Sequence, residues 1–376
     1  MIKRLLPLLI TLALLLSACS ASATSQVSDP SSPSSHPPTA NQTSPPTSNP
    51  SVTMAIGSFQ EYPLPLAKSG LMRPAIDHEG RIWFGEMGHN YLTVFDPRDQ
   101  KFQQMTPPRG ASGIMGITVA TDDTIWFTEQ YANYIGHYFP ATGQYQTYNL
   151  PTLTTPNPSN QSQTLTLPSA PNDLALDAHG NVWFTEMNAD TVGMLNLKTG
   201  RFQHYALAAK KSVQTLNPYG IAVDPHGNVW FTESSTSQIG RIDPASGQIR
   251  LFTLPGKESA PMEIASDAHG TLWLTSFNNN SLLRFDPTTE KFSTYHAPSL
   301  TIGTGALYGL LVTPNGEIWV TVSAENVLAR LDLATGRFIY YRVPTEGGSP
   351  LGIVMGADHS FWFTESGSDK IGKLTP

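Results

Sequence analysis

The 376-residue sequence contains one cysteine, Cys19. No intrachain disulfide can form, so stability has to come from packing and hydrogen bonds alone. Charge is also scarce. Asp, Glu, Lys and Arg make up 14% of the chain, with 22 basic against 29 acidic side chains. No basic stripe occurs, which excludes nucleic acid as a partner. Helix-length periodicity is missing, which argues against a helical fold. No paired-His or His-x-Glu zinc spacing is found, and no Gly-x-Ser-x-Gly elbow. What the chain has in quantity is turn formers, 30 Gly and 31 Pro.

The N-terminus reads as an address rather than as part of the fold. Lys3 and Arg4 precede an apolar run from Leu5 to Leu16, which is too short to span a membrane comfortably. Leu16-Ser17-Ala18-Cys19 then looks like a lipobox, so residues 1–18 are expected to be a lipoprotein signal peptide with Cys19 the lipidation site, the alternative being an ordinary signal peptide with an incidental cysteine. Residues 19–56 are rich in Ser, Pro and Thr and poor in large apolar side chains. Such a segment buries too little surface to offset ordering and reads as a flexible tether. The expected location is the outer face of the cell membrane or the periplasm, with the lipid anchor as the only membrane contact.

The folded part is repetitive. The seven tryptophans, Trp83, Trp126, Trp183, Trp230, Trp273, Trp319 and Trp362, share one local frame at intervals of 43, 57, 47, 43, 46 and 43 residues. A period of about 45 with short strands is the signature of a β-propeller, one four-stranded antiparallel blade per repeat. Seven blades are expected over residues 57–376, as a single closed domain and a monomer. In the fourth repeat, Tyr219–Asp224 is the inner strand and Asn228–Thr232 the second. Ile239–Ile242 is the third strand and Gln248–Leu254 the outer one. The last repeat stops after Leu374 without an outer strand, and Ser58–Pro65 has the composition of one. Residues 58–65 should therefore complete the seventh blade and close the ring. The tryptophans are expected to pack between blades.

Antiparallel blades place the start of each inner strand and the end of each second strand on one face, where loops carry function. At the inner-strand entrance the repeats read Met72, Met115, Asn172, Tyr219, Met262, Tyr308 and Leu351. The next position reads Arg73, Gly116, Asp173, Gly220, Glu263, Gly309 and Gly352. The channel mouth is thus apolar and aromatic, with Arg73, Asp173 and Glu263 as ionisable exceptions. Three residues after each Trp stand Glu86, Glu129, Glu186, Glu233 and Glu365, replaced by Ser276 and Val322 in blades five and six. Two readings are open for these glutamates. Either they make the same blade-to-loop hydrogen bond five times, or they offer oxygen ligands to Mg²⁺ or Ca²⁺. The histidines fall mostly in turns (His179, His226, His269, His359) or on third and outer strands (His137, His204, His296). Only His89 lies in a loop of the candidate face. Pro151–Pro168 is an insertion on that face, either a cover for the mouth or a mobile loop.

The recurring Trp-Phe-Thr-Glu text stands at 126–129, 183–186, 230–233 and 362–365, with Ile-Gly-Arg at 239–241, Ile-Gly-Lys at 371–373 and Tyr-x-Leu-Pro at 62–65 and 148–151. Over residues 57–376 this resembles the virginiamycin B lyase (streptogramin B lyase) family. The resemblance implies a seven-bladed propeller. It also implies Mg²⁺-assisted elimination that opens a cyclic depsipeptide, with a histidine removing the proton. Glu365 matches the family's last-blade loop glutamate. The family's Pro-His-Ala-Ile stretch is Leu307-Tyr308-Gly309-Leu310 here, and its Glu-Pro-His is Ser349-Pro350-Leu351. No entrance position carries histidine.

Two functional readings follow. In the first, the propeller binds a small molecule, peptide or glycan at a mouth lined by Met72, Arg73, Met115, Asn172, Tyr219, Met262, Tyr308 and Leu351. In the second it is a metal-dependent enzyme, a carbon–oxygen lyase with a rearranged site or a lactonase-like hydrolase. Glu365, Glu263 and Asp173 are then the catalytic candidates, with Glu263 and Glu365 as metal ligands.

Overall fold

The computed structural model describes residues 52–110, 113–157, 160–207, 216–256, 258–300 and 306–376. The expected signal peptide, Cys19 and most of the expected tether lie outside them. Among the described residues the strands form seven antiparallel blades and one separate hairpin. The inner strands follow the tryptophan repeat: Leu71–Ile76, Ile114–Val119, Pro171–Leu176, Pro218–Val223, Pro261–Ser266, Leu307–Val312 and Pro350–Met355. The ring closes as the sequence predicts. Ser58–Pro63 pairs antiparallel with Lys370–Thr375, with Ser58 opposite Thr375 and Pro63 opposite Lys370. This gives the seventh blade its outer strand.

The seam between the chain ends is locked by side chains as well. Glu61 accepts hydrogen bonds from the Thr345 backbone N–H (3.0 Å), the Thr345 hydroxyl (2.6 Å) and Lys370 Nζ (2.9 Å). Asp369 accepts from the backbone N–H groups of Lys68 and Ser69 at 2.7 and 2.8 Å. Two local expectations need correction. The chain joins the propeller before residue 57, because Thr53–Met54 lies parallel to Arg337–Arg342 as a fifth strand on blade six. The insertion after Pro151 is a paired hairpin, Thr152–Asn157 with Asn160–Pro168. Its alternating Thr and Leu residues suit a pleated strand better than a loop.

Each tryptophan packs toward the following blade. Trp83 joins Ile114, Ile117 and Phe127 of blade two, and Trp362 joins Leu71, Ile82 and Phe84 across the seam. Three of the indole nitrogens are satisfied by an aspartate on the opposite face. Trp83, Trp183 and Trp230 donate to Asp77, Asp177 and Asp224 at 2.7–2.9 Å. The same aspartates accept the backbone N–H groups of the turn, which is where His179 and His226 sit. Those histidines contribute backbone to the turn rather than chemistry.

The threonine two residues after each Trp joins one blade to the next. Thr232 accepts from Gly220 N–H of its own blade (2.9 Å) and donates to the Met262 carbonyl of blade five (2.8 Å). Thr128, Thr185, Thr275, Thr321 and Thr364 repeat this, reaching the carbonyls of Asn172, Tyr219, Tyr308, Leu351 and Met72 at 2.7–2.9 Å. Every blade boundary but one carries such a relay. In blade one the position is Gly85, because the Ile114 side chain occupies the space a Cβ would need.

We expect Thr232→Val to cost about 1–3 kcal/mol, because it strands a buried N–H and a buried C=O together. Thr232→Ser should recover most of the loss. Chemical denaturation of residues 49–376, which form one compact unit, measures both. Equal stability of Thr232→Val and the parent would remove the relay from the fold's energetics.

Candidate functional site

The start of each inner strand pairs with the residue three after Trp, as with Leu71 and Glu86 or Pro350 and Glu365. The strand register is then interrupted, and the next two residues turn toward the channel. The whole predicted entrance ring is buried: Met72, Met115, Asn172, Tyr219, Met262, Tyr308 and Leu351 are each at most 7% exposed. Their backbone carbonyls are spoken for by the threonine relays. The Met115 carbonyl instead receives Arg73 Nη1 at 3.4 Å.

The structure brings the three ionisable exceptions together. Arg73 Nη2 lies 2.6 Å from Glu263 Oε1 as an ion pair, and Arg73 Nε donates to Glu263 Oε2 at 3.1 Å. Asp173 Oδ1 is 3.7 Å from Arg73 Nε. The guanidinium also sits over the Tyr219 ring at 5.2 Å. The Tyr219 and Tyr308 hydroxyls are hydrogen-bonded to each other, their rings edge to face. Blades one, three, four, five and six thus meet at one polar cluster in the channel. Each of the three charged side chains keeps 11–12% of its surface exposed.

This room exists because glycine fills the alternate places. A Cβ on Gly116 would lie 2.8 Å from the Asp173 Cα, and one on Gly352 would lie 2.8 Å from the Arg73 Cα. Gly220 stands against Met262 and Glu263 in the same way. Each charged residue therefore follows a glycine of the preceding blade.

The cluster is rich in acid. Burial works against the Arg73 charge, yet Asp173 and Glu263 hold its pKa well above the usual guanidinium value. Burial pushes both carboxyls up, and Arg73 offsets this only in part; for Glu263 the neighbouring Asp173 adds to the rise. One cation cannot neutralise two buried carboxylates, so the cluster favours holding a proton. Burial likewise raises both tyrosine hydroxyls.

The repeated glutamates do not belong to this cluster. They are at most 1% exposed and reach across their own blades. Glu86 accepts from the hydroxyl of Thr93 (2.6 Å) and from Gln104 Nε2 (2.7 Å). Glu186 meets His204 Nδ1 at 2.8 Å. Glu233 accepts from Thr236 and Glu365 from Ser368, at 2.6 and 2.7 Å. Glu129 has the Tyr134 hydroxyl of its own blade as its side-chain partner. The blade-internal reading of these residues is the one the geometry carries. Glu263 and Glu365 do not come together, and their surroundings differ. His89 is engaged with the Ala67 carbonyl at 2.7 Å, and His137 stacks on Trp126.

A divalent cation of the kind the resemblance implies needs several converging oxygen ligands. Among the described residues no three His, Cys, Asp or Glu side chains gather in this way. Asp173 and Glu263 are matched to a guanidinium. This donor set does not fit a Mg²⁺ site.

Burial pushes the Glu129 carboxyl up to about 8 and that of Glu365 to about 7. A raised carboxyl stabilises the fold while it stays protonated, and that contribution fades as pH climbs through the folded value. Glu129→Gln should therefore raise the melting temperature by about 2 °C or more at pH 8.5 and hardly at all at pH 5. A scan at both pH values decides it. An equal shift at the two would remove the titration argument.

Residues 154–302 match the family model described as the virginiamycin B lyase family. No curated protein matches the chain by sequence. Among solved structures, virginiamycin B lyase from Staphylococcus aureus is similar at 26% identity. That match covers 85% of this chain and all of the other, with a TM-score of 0.73. A streptogramin B lyase structure matches at 28% identity over 85% of this chain and 97% of its own, also with a TM-score of 0.73. A catalytically inactive variant of the S. aureus enzyme, solved with quinupristin, matches at 27% identity over 85% of this chain and all of its own, with the same TM-score. Fold, repeat text and these matches agree that the chain is a seven-bladed β-propeller similar to virginiamycin B lyase, with its residues 154–302 matching that family's model.

Proposed function

We propose that the protein is an exported, lipid-anchored propeller that binds a small molecule, peptide or glycan at the channel mouth. One observation carries the binding site. The ring closes with glycine at this level in blades two, four, six and seven, so the fold does not require Arg73, Asp173 and Glu263. Buried charges seldom add stability and are costly to keep. Their convergence with two tyrosines on an otherwise apolar entrance ring supports a recognition site there. The acid-rich cluster suits a ligand that brings a hydrogen-bond donor or a positive charge. Met72, Met115, Met262 and Leu351 offer an apolar rest beside it. Export and anchoring rest on Lys3, Arg4, the Leu5–Leu16 run and Cys19.

The lyase reading has one supporting observation besides the family likeness. Asp173 and Glu263 are carboxyls whose pKa burial raises, as befits a proton-transferring group. One experiment separates the two readings. Residues 49–376 are incubated with quinupristin, with Mg²⁺ or with EDTA, and followed by calorimetry and chromatography. Elimination leaves the mass unchanged, so retention time reports ring opening. We expect binding with quinupristin recovered intact, and about tenfold weaker binding by Glu263→Gln, equivalent to ~1.4 kcal/mol. Ring opening abolished by Glu263→Gln or Glu365→Ala would replace the binding reading with a lyase. Neither binding nor opening would remove depsipeptides as ligands.

For the anchor, radiolabelled palmitate should label the full-length protein in a bacterial host, and Cys19→Ser should abolish both the label and membrane association. A labelled Cys19→Ser protein would refute anchoring at this residue.

A further inference from the structure

In the blades that keep it, the repeated glutamate fills a slot on the blade face, between the end of the second strand and the third and outer strands. Glu86, Glu186, Glu233 and Glu365 each place a carboxyl there against donors from a neighbouring strand or the next loop. Blade five has the same strand register. Ser276 pairs with Ser281, which pairs with His296, and Leu283 pairs with Thr294. Ser276 is too short to fill the slot. A cavity of about 470 Å³ remains, lined by Ser276, Ser281, Asn279, Leu283, Thr294 and His296. That volume lies in the range of small-molecule sites.

The hydrogen bonds decide what the cavity can do. Ser276 donates to the Ser259 carbonyl at 2.7 Å, and Asn279 Nδ2 donates to Ser259 Oγ at 3.1 Å. The Ser281 hydroxyl donates to the Asn279 carbonyl at 2.8 Å, so toward His296 Nδ1, 2.8 Å away, it acts as acceptor. The proton of Ser281 is thus not available to the histidine, and the pair is no nucleophile–base couple. Nδ1 carries the ring proton that faces Ser281. What is left facing the cavity is the rest of the imidazole, the Thr294 hydroxyl and the Asn279 amide. No carboxylate lines it.

We infer that the blade-five slot binds a small carboxylate from solution, in the place that a glutamate side chain fills in other blades. Thr294 and Asn279 are its donors, and His296 is the ring beside it. The site is separate from the channel mouth and does not rest on the function proposed there.

The test uses residues 49–376 with lactate as probe and lactamide as its neutral counterpart, followed by ligand-observed NMR titration. Saturable lactate binding with Kd of ~10 mM or below is expected, with lactamide at least about tenfold weaker. Ser276→Glu supplies the missing side chain and should abolish binding. Thr294→Val, on the exposed outer strand, should weaken it severalfold. Tyr308→Phe at the mouth should leave it unchanged. The inference is overturned by equal binding of lactate and lactamide, by no saturation, or by lactate binding that survives in both Ser276→Glu and Thr294→Val.

Discussion

Six threonine hydroxyls hold this ring in register. Each accepts a hydrogen bond from a backbone N–H of its own inner strand and donates one to the next blade's carbonyl, where the inner strands crowd round the channel. Sheet hydrogen bonds stabilise each blade, and tryptophan packing holds neighbours together, but packing is tolerant of small slips. A buried hydroxyl with a donor on one side and an acceptor on the other is not, since a slip leaves three groups unsatisfied. The relay fixes how far each blade stands from the next. The close spacing is in turn what demands glycine at positions 116, 220, 309 and 352.

The one missing relay ties the scaffold to the site. Gly85 cannot serve the Met115 carbonyl, and the Arg73 guanidinium approaches it instead. Arg73 can do so only because blade one carries a side chain where four other blades have glycine. The same side chain pairs with Glu263 and stands near Asp173. Cluster and scaffold therefore share a residue. Charges stand in blades one, three and five, never in adjacent blades, which is the spacing that the glycine contacts permit.

Much of the architecture was legible because repetition reveals it. Tryptophan spacing gave the blade number, and the truncated last repeat with the spare strand expected at 58–65 gave the closure, of which Ser58–Pro63 pairs. The entrance ring could be aligned letter by letter, and its three ionisable positions do meet. Their meeting was not legible, since residues 73, 173 and 263 are brought together only by ring closure. The role of Glu365 was obscured for a related reason. Trp-Phe-Thr-Glu puts Thr and Glu side by side in sequence, but alternating strand geometry sends them to opposite faces, one toward the next blade and one across its own. The insertion at 152–168 was obscured by composition, because Thr, Ser, Asn and Pro weigh toward loop even where Thr and Leu alternate.

Repetition also shows which departures matter. The repeated glutamate is lost twice, in blades five and six, and the two losses differ. Blade six closes its slot with Val322, Ala329 and Tyr340, all fully buried, and Tyr340 sends its hydroxyl to the Pro298 carbonyl at 2.7 Å. Three substitutions there restore a packed core, as expected when a buried polar group is simply replaced. Blade five keeps small polar side chains, Ser276, Ser281 and Thr294, around the space. A slot emptied by drift toward packing would resemble blade six. The blade-five slot stays open and polar within a frame where every threonine relay is intact, so its openness comes from its own side chains and not from a loosened blade.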